Sequence, residues 1–441
     1  MYTSYIGRQF IELYNEKTNS DFTAERFFEE KFFPIFFNDD RHLMDVHNSA
    51  FAKQNKVSKN FYEKHPQLTE NEIRLIKFKN SINEENPNGS TLVGYKAKEL
   101  TRETSGQVSS FKNVMIDSEE IYASWIGEAL AIGVSGGNVF LINENEVLWQ
   151  IYQGWEYYRK YINQTPNIKD RQIETWNGNW LIFSQRDSQQ SKIPEISVSK
   201  VKGKLAIATA SWSQVLFGLS HYYPNKEILI YAYSLSSKNT TLGFIKVFLP
   251  EFNKLLKYRH SLIEFKEFKQ IDNKDIEQFE TFYSFKVACQ KGSIGLFAIE
   301  PKGLRKFMPY GTSMNAQGKE LKFNKNNDYF LYQIYKNWIM ATLNKTKLLQ
   351  LASQLAEILL NMEEEKTSRG KADIYRISQE VRESKTIKEF ISKLTETIPL
   401  MEKNASIIKE VVTEILEMPN DNFPLFIILV RFEYNYQKTL K

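Results

Sequence analysis

The sequence predicts an α+β fold, in which a mixed α/β body with a small sheet is followed by a C-terminal antiparallel helical bundle. The body is indicated by short β-rich runs, bounded by turn residues, between about 180 and 300. The bundle is indicated by apolar residues that recur every three or four positions after Asp328. Only one of the 19 glycines, Gly370, follows residue 330, which also favours uninterrupted helices there.

These changes of pattern divide the chain into four segments. Residues 1–52 form an N-terminal helical segment. Its stretch Glu29–Phe37 is too apolar to lie in water, so it is expected to dock on the body, and a partner-binding face is the alternative. Residues 53–106 are polar and are expected to be partly irregular. Residues 107–327 form the mixed α/β body, and residues 328–441 form the C-terminal helical bundle.

The body is predicted to contain both helices and short strands. Helices are expected at Glu119–Leu130 and Glu146–Ile162, and a glycine-rich turn separates the first from a strand at Asn138–Ile142. Gly243–Leu249 is either a strand or the start of a helix. Further strands are expected at four short runs: Leu181–Phe183, Leu205–Ala208, Ile228–Tyr231 and Ile294–Ile299.

The bundle is predicted to hold three or four antiparallel helices with a last, apolar helix from Pro424 to Tyr436. Its charged residues are typical of solvated helix faces, so we expect the bundle to dock on other protein subunits. The apolar positions that define the helices form three series: Leu348, Leu351, Leu355, Ile358 and Met362; Ile387, Phe390, Ile391, Leu394 and Ile398; and Ile407, Val411 and Ile415.

Composition narrows the class of protein. The net charge of +5 on 441 residues is mild, so any site for a polyanion must be local. The single cysteine, Cys289, cannot form an internal disulfide or a thiolate metal cage. The start of the chain lacks the features of a secretory signal, and the longest apolar run, Leu425–Val430, is too short to cross a bilayer. We therefore expect a cytoplasmic protein with no membrane contact.

A G-x-S-x-G pattern at 133–137 matches the nucleophile elbow of serine hydrolases. That elbow needs a strand before the serine and a helix after it, whereas here a helix is expected before it and a strand after it. The other interpretations are a plain turn and an anion site made by backbone amides.

No metal site is predicted, because His42 and His47 lie five residues apart and so off the spacing that places two imidazoles on one helix face.

A Mg²⁺-dependent nuclease is the enzyme hypothesis. Such a site needs carboxylates to hold the metal and a lysine beside the attacking water. The E-x-K triplet occurs seven times in this chain, so a match at the end of a strand is close to chance. The two possible catalytic sets are Glu251 with Glu264 and Lys266, and Glu300 with Lys302.

The segment 149–186 interleaves aromatic and basic residues, as nucleic-acid grooves do. Aromatic rings stack on unpaired bases, and Arg and Lys neutralise phosphates. The candidate residues for this role are Trp155, Arg159, Lys160, Arg171 and Trp176. The rings also recur at helical spacing, which is equally typical of a buried core.

A second basic segment lies between Lys302 and Lys325, where Glu320 is the only acid. Its glycines suggest a mobile loop that could hold a phosphate backbone, and a solvated loop is the alternative. The candidate contacts here are Lys302, Arg305 and Lys306.

In architecture, the aromatic and basic cluster at 149–186, the basic segment after Lys302 and the helices after Asp328 together resemble the large subunit of type I CRISPR interference complexes. In that family the body recognises the short duplex motif beside the DNA target, and the bundle contacts the backbone of the complex and the displaced strand. The resemblance implies a non-catalytic nucleic-acid-binding subunit of a prokaryotic antiviral defence complex, without a cofactor, whose partners are nucleic acid, expected to be DNA, and other protein subunits. The alternatives are the Mg²⁺-dependent restriction-type endonuclease and a protein-interaction scaffold.

Overall fold

The structure is a computed structural model. It describes residues 2–53, 57–84, 91–93, 116–185, 196–201, 203–234, 241–262, 293–324, 326–364, 371–397 and 404–441. These residues form helices, a five-stranded mixed sheet and a two-stranded sheet, with a group of helices at the C-terminal end. The predicted α+β fold is therefore confirmed.

The chain divides into two compact units. The first takes the described residues within Met1–Pro250 and Phe285–Ile294, and the second takes those within Glu251–Ser284 and Gly295–Lys441. The boundary in the continuous part of the chain thus lies at residue 250, near the start of one helix.

The first unit contains ten α-helices in its described residues. A short π-helical stretch, Phe28–Phe32, connects the second helix to the third. The helices are α1 (Tyr2–Thr18), α2 (Ala24–Phe27), α3 (Phe33–Phe36), α4 (Lys59–Lys64), α5 (Glu70–Glu84), α6 (Ser118–Ala129), α7 (Asn145–Gln153), α8 (Trp155–Gln164), α9 (Ile173–Ser184) and α10 (Trp212–Tyr222).

The larger sheet is antiparallel apart from one edge pair. Its strands are β1 (Ile132–Val134), β2 (Asn138–Ile142), β5 (Glu227–Ser234), β6 (Thr241–Phe248) and β7 (Ser293–Ile294); β3 (Val198–Val201) and β4 (Lys204–Ile207) pair separately as an antiparallel ribbon. The strands of the larger sheet lie in the order β1-β2-β5-β6-β7, and β6 pairs with β7 in parallel. One face of β5 packs into the core, since Ile228 and Ile230 are buried while Leu229 between them is exposed.

The G-x-S-x-G segment is a hairpin turn between β1 and β2. Its two final glycines, Gly136 and Gly137, have φ angles of +85° and +72°, which L side chains rarely adopt. A strand enters this turn, so the expectation that a helix enters it was wrong. A strand also leaves it, so the strand–turn–helix geometry of a nucleophile elbow is absent here.

Three other element predictions were wrong. Leu181–Phe183 lies in helix α9, because the run is the end of a helix that is buried on most sides. The predicted helix Glu146–Ile162 is two helices that meet at Gly154, where a Cβ atom would lie 2.6 Å from the ring of Trp180. The run from Ile294 to Ile299 is a strand only at its start and then becomes the 3₁₀ helix Leu296–Ile299.

Residues 53–106 hold more regular structure than their polarity suggested. Helices α4 and α5 lie in this segment, and Phe78 of α5 stacks on Phe28 with ring centroids 5.5 Å apart. The predicted turn at 86–89 falls outside the described residues.

Phenylalanines of the N-terminal segment form the aromatic core of the first unit. Phe28 packs against Trp125 of α6, and Phe36 meets Trp155 of α8 edge-on, with ring centroids 4.8 Å apart. These rings are fully buried, as an apolar stretch of this kind requires.

The second unit contains most of helix α11 (Leu249–Leu262) and six later α-helices in its described residues. The six are α12 (Asn326–Leu343), α13 (Lys347–Glu364), α14 (Lys371–Glu383), α15 (Ile387–Thr397), α16 (Ala405–Leu416) and α17 (Phe423–Leu440). Helices α13 and α17 pack along each other through Gln437, whose side-chain amide donates to Ser353 O at 3.0 Å. The last helix is longer than predicted but has the same apolar character.

The predicted apolar series of α13 is buried along its length, which confirms the helical period deduced for it. None of the helices described here combines the length and the apolar character that a bilayer crossing needs.

Candidate nucleic-acid interface

The aromatic residues predicted at 149–186 lie mainly in the core. Trp155 is 1% exposed and Trp176 is fully buried. The ring of Trp176 stacks on Tyr158 with centroids 4.8 Å apart, and its Nε1 donates to Gly154 O at 2.9 Å. Both faces of such rings are occupied within the protein, so they offer no surface to a base in this fold.

Arg159 is a structural residue in this arrangement. Its Nε donates to Ile35 O at 2.8 Å and its Nη1 to Arg41 O at 2.8 Å. Asp39 lies 3.6 Å from Nη1, and burial lowers the pKa of the guanidinium. The side chain thus fixes the chain after α3 to helix α8.

The other two cations of this cluster lie nearer to solvent. Lys160 is exposed, with Nζ 5.6 Å from the ring centroid of Tyr157. Arg171 is partly exposed, lies 3.7 Å from a carboxylate oxygen of Asp170, and has a φ angle of +59°. The structure therefore leaves Lys160 as the cation of this set that is most open to a partner.

The second predicted segment, residues 302–324, forms a folded loop that we call the basic loop. It begins with the 3₁₀ helix Leu304–Phe307 and returns along itself. The returning arm is held by hydrogen bonds from Lys319 N to Lys306 O at 3.0 Å and from Gly318 N to Met308 O at 2.8 Å. The segment was expected to be a mobile loop, but its backbone hydrogen bonds give it a defined hairpin-like shape.

A buried arginine from the last helix clamps this loop. Arg431 of α17 donates from Nη1 to Phe307 O at 2.9 Å and from Nη2 to Gly318 O at 2.7 Å and Lys319 O at 3.1 Å. Its side chain is buried, and three carbonyls from both arms of the loop converge on it. Hydrogen bonds to a charged donor are stronger than those between neutral groups, so this contact fixes the base of the loop.

The tip of the basic loop carries exposed apolar side chains. Tyr310 is 73% exposed and Met314 is 79% exposed. Between them, turns closed by Thr312 N to Pro309 O and by Ala316 N to Ser313 O fix the backbone. A ring that is held out on an ordered backbone offers an open face for stacking.

Lysines lie toward the base of this loop. Lys302, Lys319 and Lys322 are exposed, and within the part of the chain that the structure describes no ion pair engages them. Lys306 Nζ lies 4.8 Å from the ring centroid of Phe307. Arg305, by contrast, makes a bidentate pair with Glu300, with Nε to Oε1 at 2.8 Å and Nη2 to Oε2 at 2.7 Å.

The sequence indicated the charges of this loop but missed its ring and its clamp. Tyr310 lies in the turn-rich stretch 309–313, a pattern that often displays a side chain, and this was the available signal. No sequence signal marked Arg431, because its partners lie more than 110 residues earlier in the chain.

The two described carboxylates of the proposed nuclease sets have structural partners. Glu300 is buried against Arg305, and Glu251 Oε2 accepts a hydrogen bond from Leu296 N at 2.7 Å. Glu264 and Lys266 lie outside the described residues. Among the described residues, no three His, Cys, Asp or Glu side chains are grouped so that they could hold a metal ion.

Comparison of the chain with protein-family models, with curated proteins and with solved structures finds no match.

Proposed function

We propose that this chain is a non-catalytic nucleic-acid-binding subunit of a prokaryotic antiviral defence complex, in which it acts in the cytoplasm and takes part in recognition of a DNA target. The observation that carries the proposal is the basic loop, where a fixed backbone presents an exposed tyrosine ring at its tip and exposed lysines toward its base. The resemblance in architecture to the large subunit of type I CRISPR complexes supplies the biological setting.

The chemistry of the loop supports an unpaired nucleic-acid strand as its ligand. A base stacked on an aromatic ring contributes about 1–3 kcal/mol, and each lysine that meets a phosphate releases a counterion. The loop backbone is already held by Arg431 and by its own hydrogen bonds. Binding therefore need not include the entropic cost of ordering that backbone.

The helices after residue 326 support a docking role for the same subunit. Leu416 at the end of α16 is 64% exposed and Tyr375 on α14 is 48% exposed. Apolar side chains at the surface of a helical group are suited to contact with other protein subunits. Both roles belong to a binding protein and need no catalytic group.

The test is DNA binding by the full chain, measured by fluorescence anisotropy with a labelled 30-nucleotide single strand at several salt concentrations. We expect Tyr310→Ala to weaken binding roughly 5- to 150-fold, because that range corresponds to about 1–3 kcal/mol of lost stacking. We expect the pair Lys319→Gln and Lys322→Gln to reduce the slope of log affinity against log salt by about 1.4, the value for two lost phosphate contacts on a single strand.

The matched control is the pair Lys254→Gln and Lys257→Gln, which removes the same charge from exposed positions on α11. The proposal is refuted if the two double variants have equal slopes of log affinity against log salt. It is also refuted if the unaltered chain binds no DNA. Cleavage of the strand with Mg²⁺, lost in Glu300→Ala, would instead support the nuclease hypothesis.

A further inference from the structure

Strands β3 and β4 form a short ribbon that stands apart from the main sheet. The two strands are antiparallel, and Val198, Ser199, Lys200 and Val201 pair with Ile207, Ala206, Leu205 and Lys204. Only two residues connect them, and Gly203 in this connection has a φ angle of +83°, as tight hairpins require.

The outer end of this ribbon is open to solvent on both faces. Every residue of β3 is exposed, including Val198 at 43% and Val201 at 46%, and Lys204 of β4 is exposed as well. At the inner end, Ala206 and Ile207 are buried. Since neighbouring residues of a strand point to opposite faces, exposure of all four residues of β3 means that both faces of the ribbon are open along its β3 edge. The β4 edge is held to the unit, because Leu205 N donates to Asn167 O at 3.1 Å and Leu205 O accepts from Lys169 N at 2.7 Å.

The charge of the ribbon is positive throughout. Residues 196–207 contain three lysines and no acid. In the described part of the chain, Lys200 and Lys204 take part in no ion pair. Beside the ribbon, Lys169 is also exposed, and its backbone N donates to Leu205 O at 2.7 Å. Lys169 thus adds a further cation beside the same element.

The two described lysines of the ribbon lie on opposite faces. Lys200 is paired with Leu205, and Lys204 is paired with Val201. Cross-strand partners share a face and adjacent residues do not, so the faces of Lys200 and Val201 are opposite. A flat anionic surface could meet only one of these lysines, whereas a groove with two anionic walls meets both.

We propose that the β3–β4 ribbon enters the major groove of B-form duplex DNA, where Lys200 contacts the phosphates of one strand and Lys204 those of the other. This inference rests on the proposed function, namely that the chain binds DNA. It assigns to the first unit a contact with duplex DNA that is separate from the contact between the basic loop and an unpaired strand.

The dimensions of the ribbon select this groove. A two-stranded ribbon with side chains on both faces is about 10 Å thick, which fits the major groove of about 12 Å but not the minor groove of about 6 Å. The major groove of A-form RNA is deep and narrow, so duplex RNA does not admit the ribbon. Single strands have no groove of fixed width.

The test compares the full chain with the pair Lys200→Gln and Lys204→Gln on a labelled 30-base-pair DNA duplex, a single strand and an RNA duplex of the same sequence. We expect the variant to lose affinity for duplex DNA only. The ratio of the affinity of the unaltered chain to that of the variant should fall by about tenfold between 50 and 200 mM salt. The reason is that two lost phosphate contacts lower the slope of log affinity against log salt by about 1.8.

The matched control is the pair Lys59→Gln and Lys64→Gln, which removes the same charge from exposed positions on α4 of the same unit. Because all four lysines are exposed, both variants should keep the thermal midpoint of the unaltered chain. If the control variant loses as much affinity for duplex DNA as the ribbon variant does, the inference is overturned.

The outcomes separate this inference from the proposed function. If the ribbon variant binds duplex DNA normally while the Lys319→Gln and Lys322→Gln pair is weakened on a single strand, the ribbon assignment fails and the proposed function stands. If the ribbon variant weakens equally on all three probes, the major-groove assignment fails. If the unaltered chain binds no DNA, both fail.

Discussion

Arg159 and Lys160 are adjacent in helix α8, and their side chains lie in opposite environments. Arg159 is turned to the interior, where its guanidinium donates to the carbonyls of Ile35 and Arg41, whereas Lys160 is exposed. A one-residue step rotates a side chain by about 100° around a helix, so adjacent cations can have unrelated roles. The residue types of Arg159 and Lys160 alone do not show which of the two is internal and which is exposed.

We expect Arg159→Met to destabilise the protein by about 2–3 kcal/mol, since buried carbonyls would lose their donors, while Lys160→Met should change stability by less than about 0.5 kcal/mol. Urea unfolding followed by tryptophan fluorescence measures both, because several tryptophans lie in this unit. Similar unfolding midpoints for the two variants would contradict the structural role of Arg159.

Helices α1 and α6 cross at glycines, so their backbones lie in close contact. A Cβ atom at Gly7 would lie 1.9 Å from Ala123 O, and one at Gly127 would lie 1.8 Å from Thr3 O. Both clashes are with the backbone of the other helix, which cannot rotate away. The helices would have to separate to accept any larger residue.

We therefore expect Gly7→Ala and Gly127→Ala each to destabilise the protein by about 2 kcal/mol or more, because overpacking outweighs the gain of about 1 kcal/mol in helix propensity. Chemical unfolding gives this difference directly. Gly218→Ala in α10 is the control, since its Cβ would meet only the side-chain oxygen of Gln185, which can move. A stabilised Gly7→Ala variant would show that the crossing is looser than described.

One of the wrong element predictions concerned a short apolar run that fits a helix as well as a strand. Leu181–Phe183 has the composition of a strand, yet it ends helix α9, while Ile228–Tyr231 has a similar composition and lies in β5. A buried helix and a buried strand share apolar composition, and over three or four residues their periods cannot be told apart. Longer apolar series, such as that of α13, repeat over several helical turns, so their period identified them correctly as helices.

For the molecule as a whole, the basic loop belongs to the same compact unit as the helices after it. Its clamp, Arg431, lies in the last helix. A chain that ends at residue 327 would lose the clamp together with the bundle. Loss of partner association in such a truncated chain would therefore not by itself identify the bundle as the docking element.

We expect Arg431→Leu to loosen the basic loop, because the carbonyls of Phe307, Gly318 and Lys319 would lose their common donor. Trypsin should then cut after Lys306, Lys319 or Lys322 at least several times faster than in the unaltered chain, and the free energy of unfolding should fall by about 3 kcal/mol.

Arg376→Leu is the control for this prediction, since Arg376 is exposed on α14 and pairs only across one helical turn with Glu380, at 2.8 Å. Such pairs contribute only a few tenths of a kcal/mol. Equal trypsin cleavage of the two variants would mean that the loop is held by its own hydrogen bonds and not by Arg431.

The sequence by itself determined the α+β class, the helical C-terminal region and the basic character of residues 302–324, because composition and long periods are local properties of a chain. Tertiary structure alone decided that Trp155, Trp176 and Arg159 are internal and that Tyr310 stands exposed on a clamped loop. The physical reason is that burial and pairing depend on residues more than a hundred positions away, such as Ile35 for Arg159 and Arg431 for the loop, and no local pattern records those contacts.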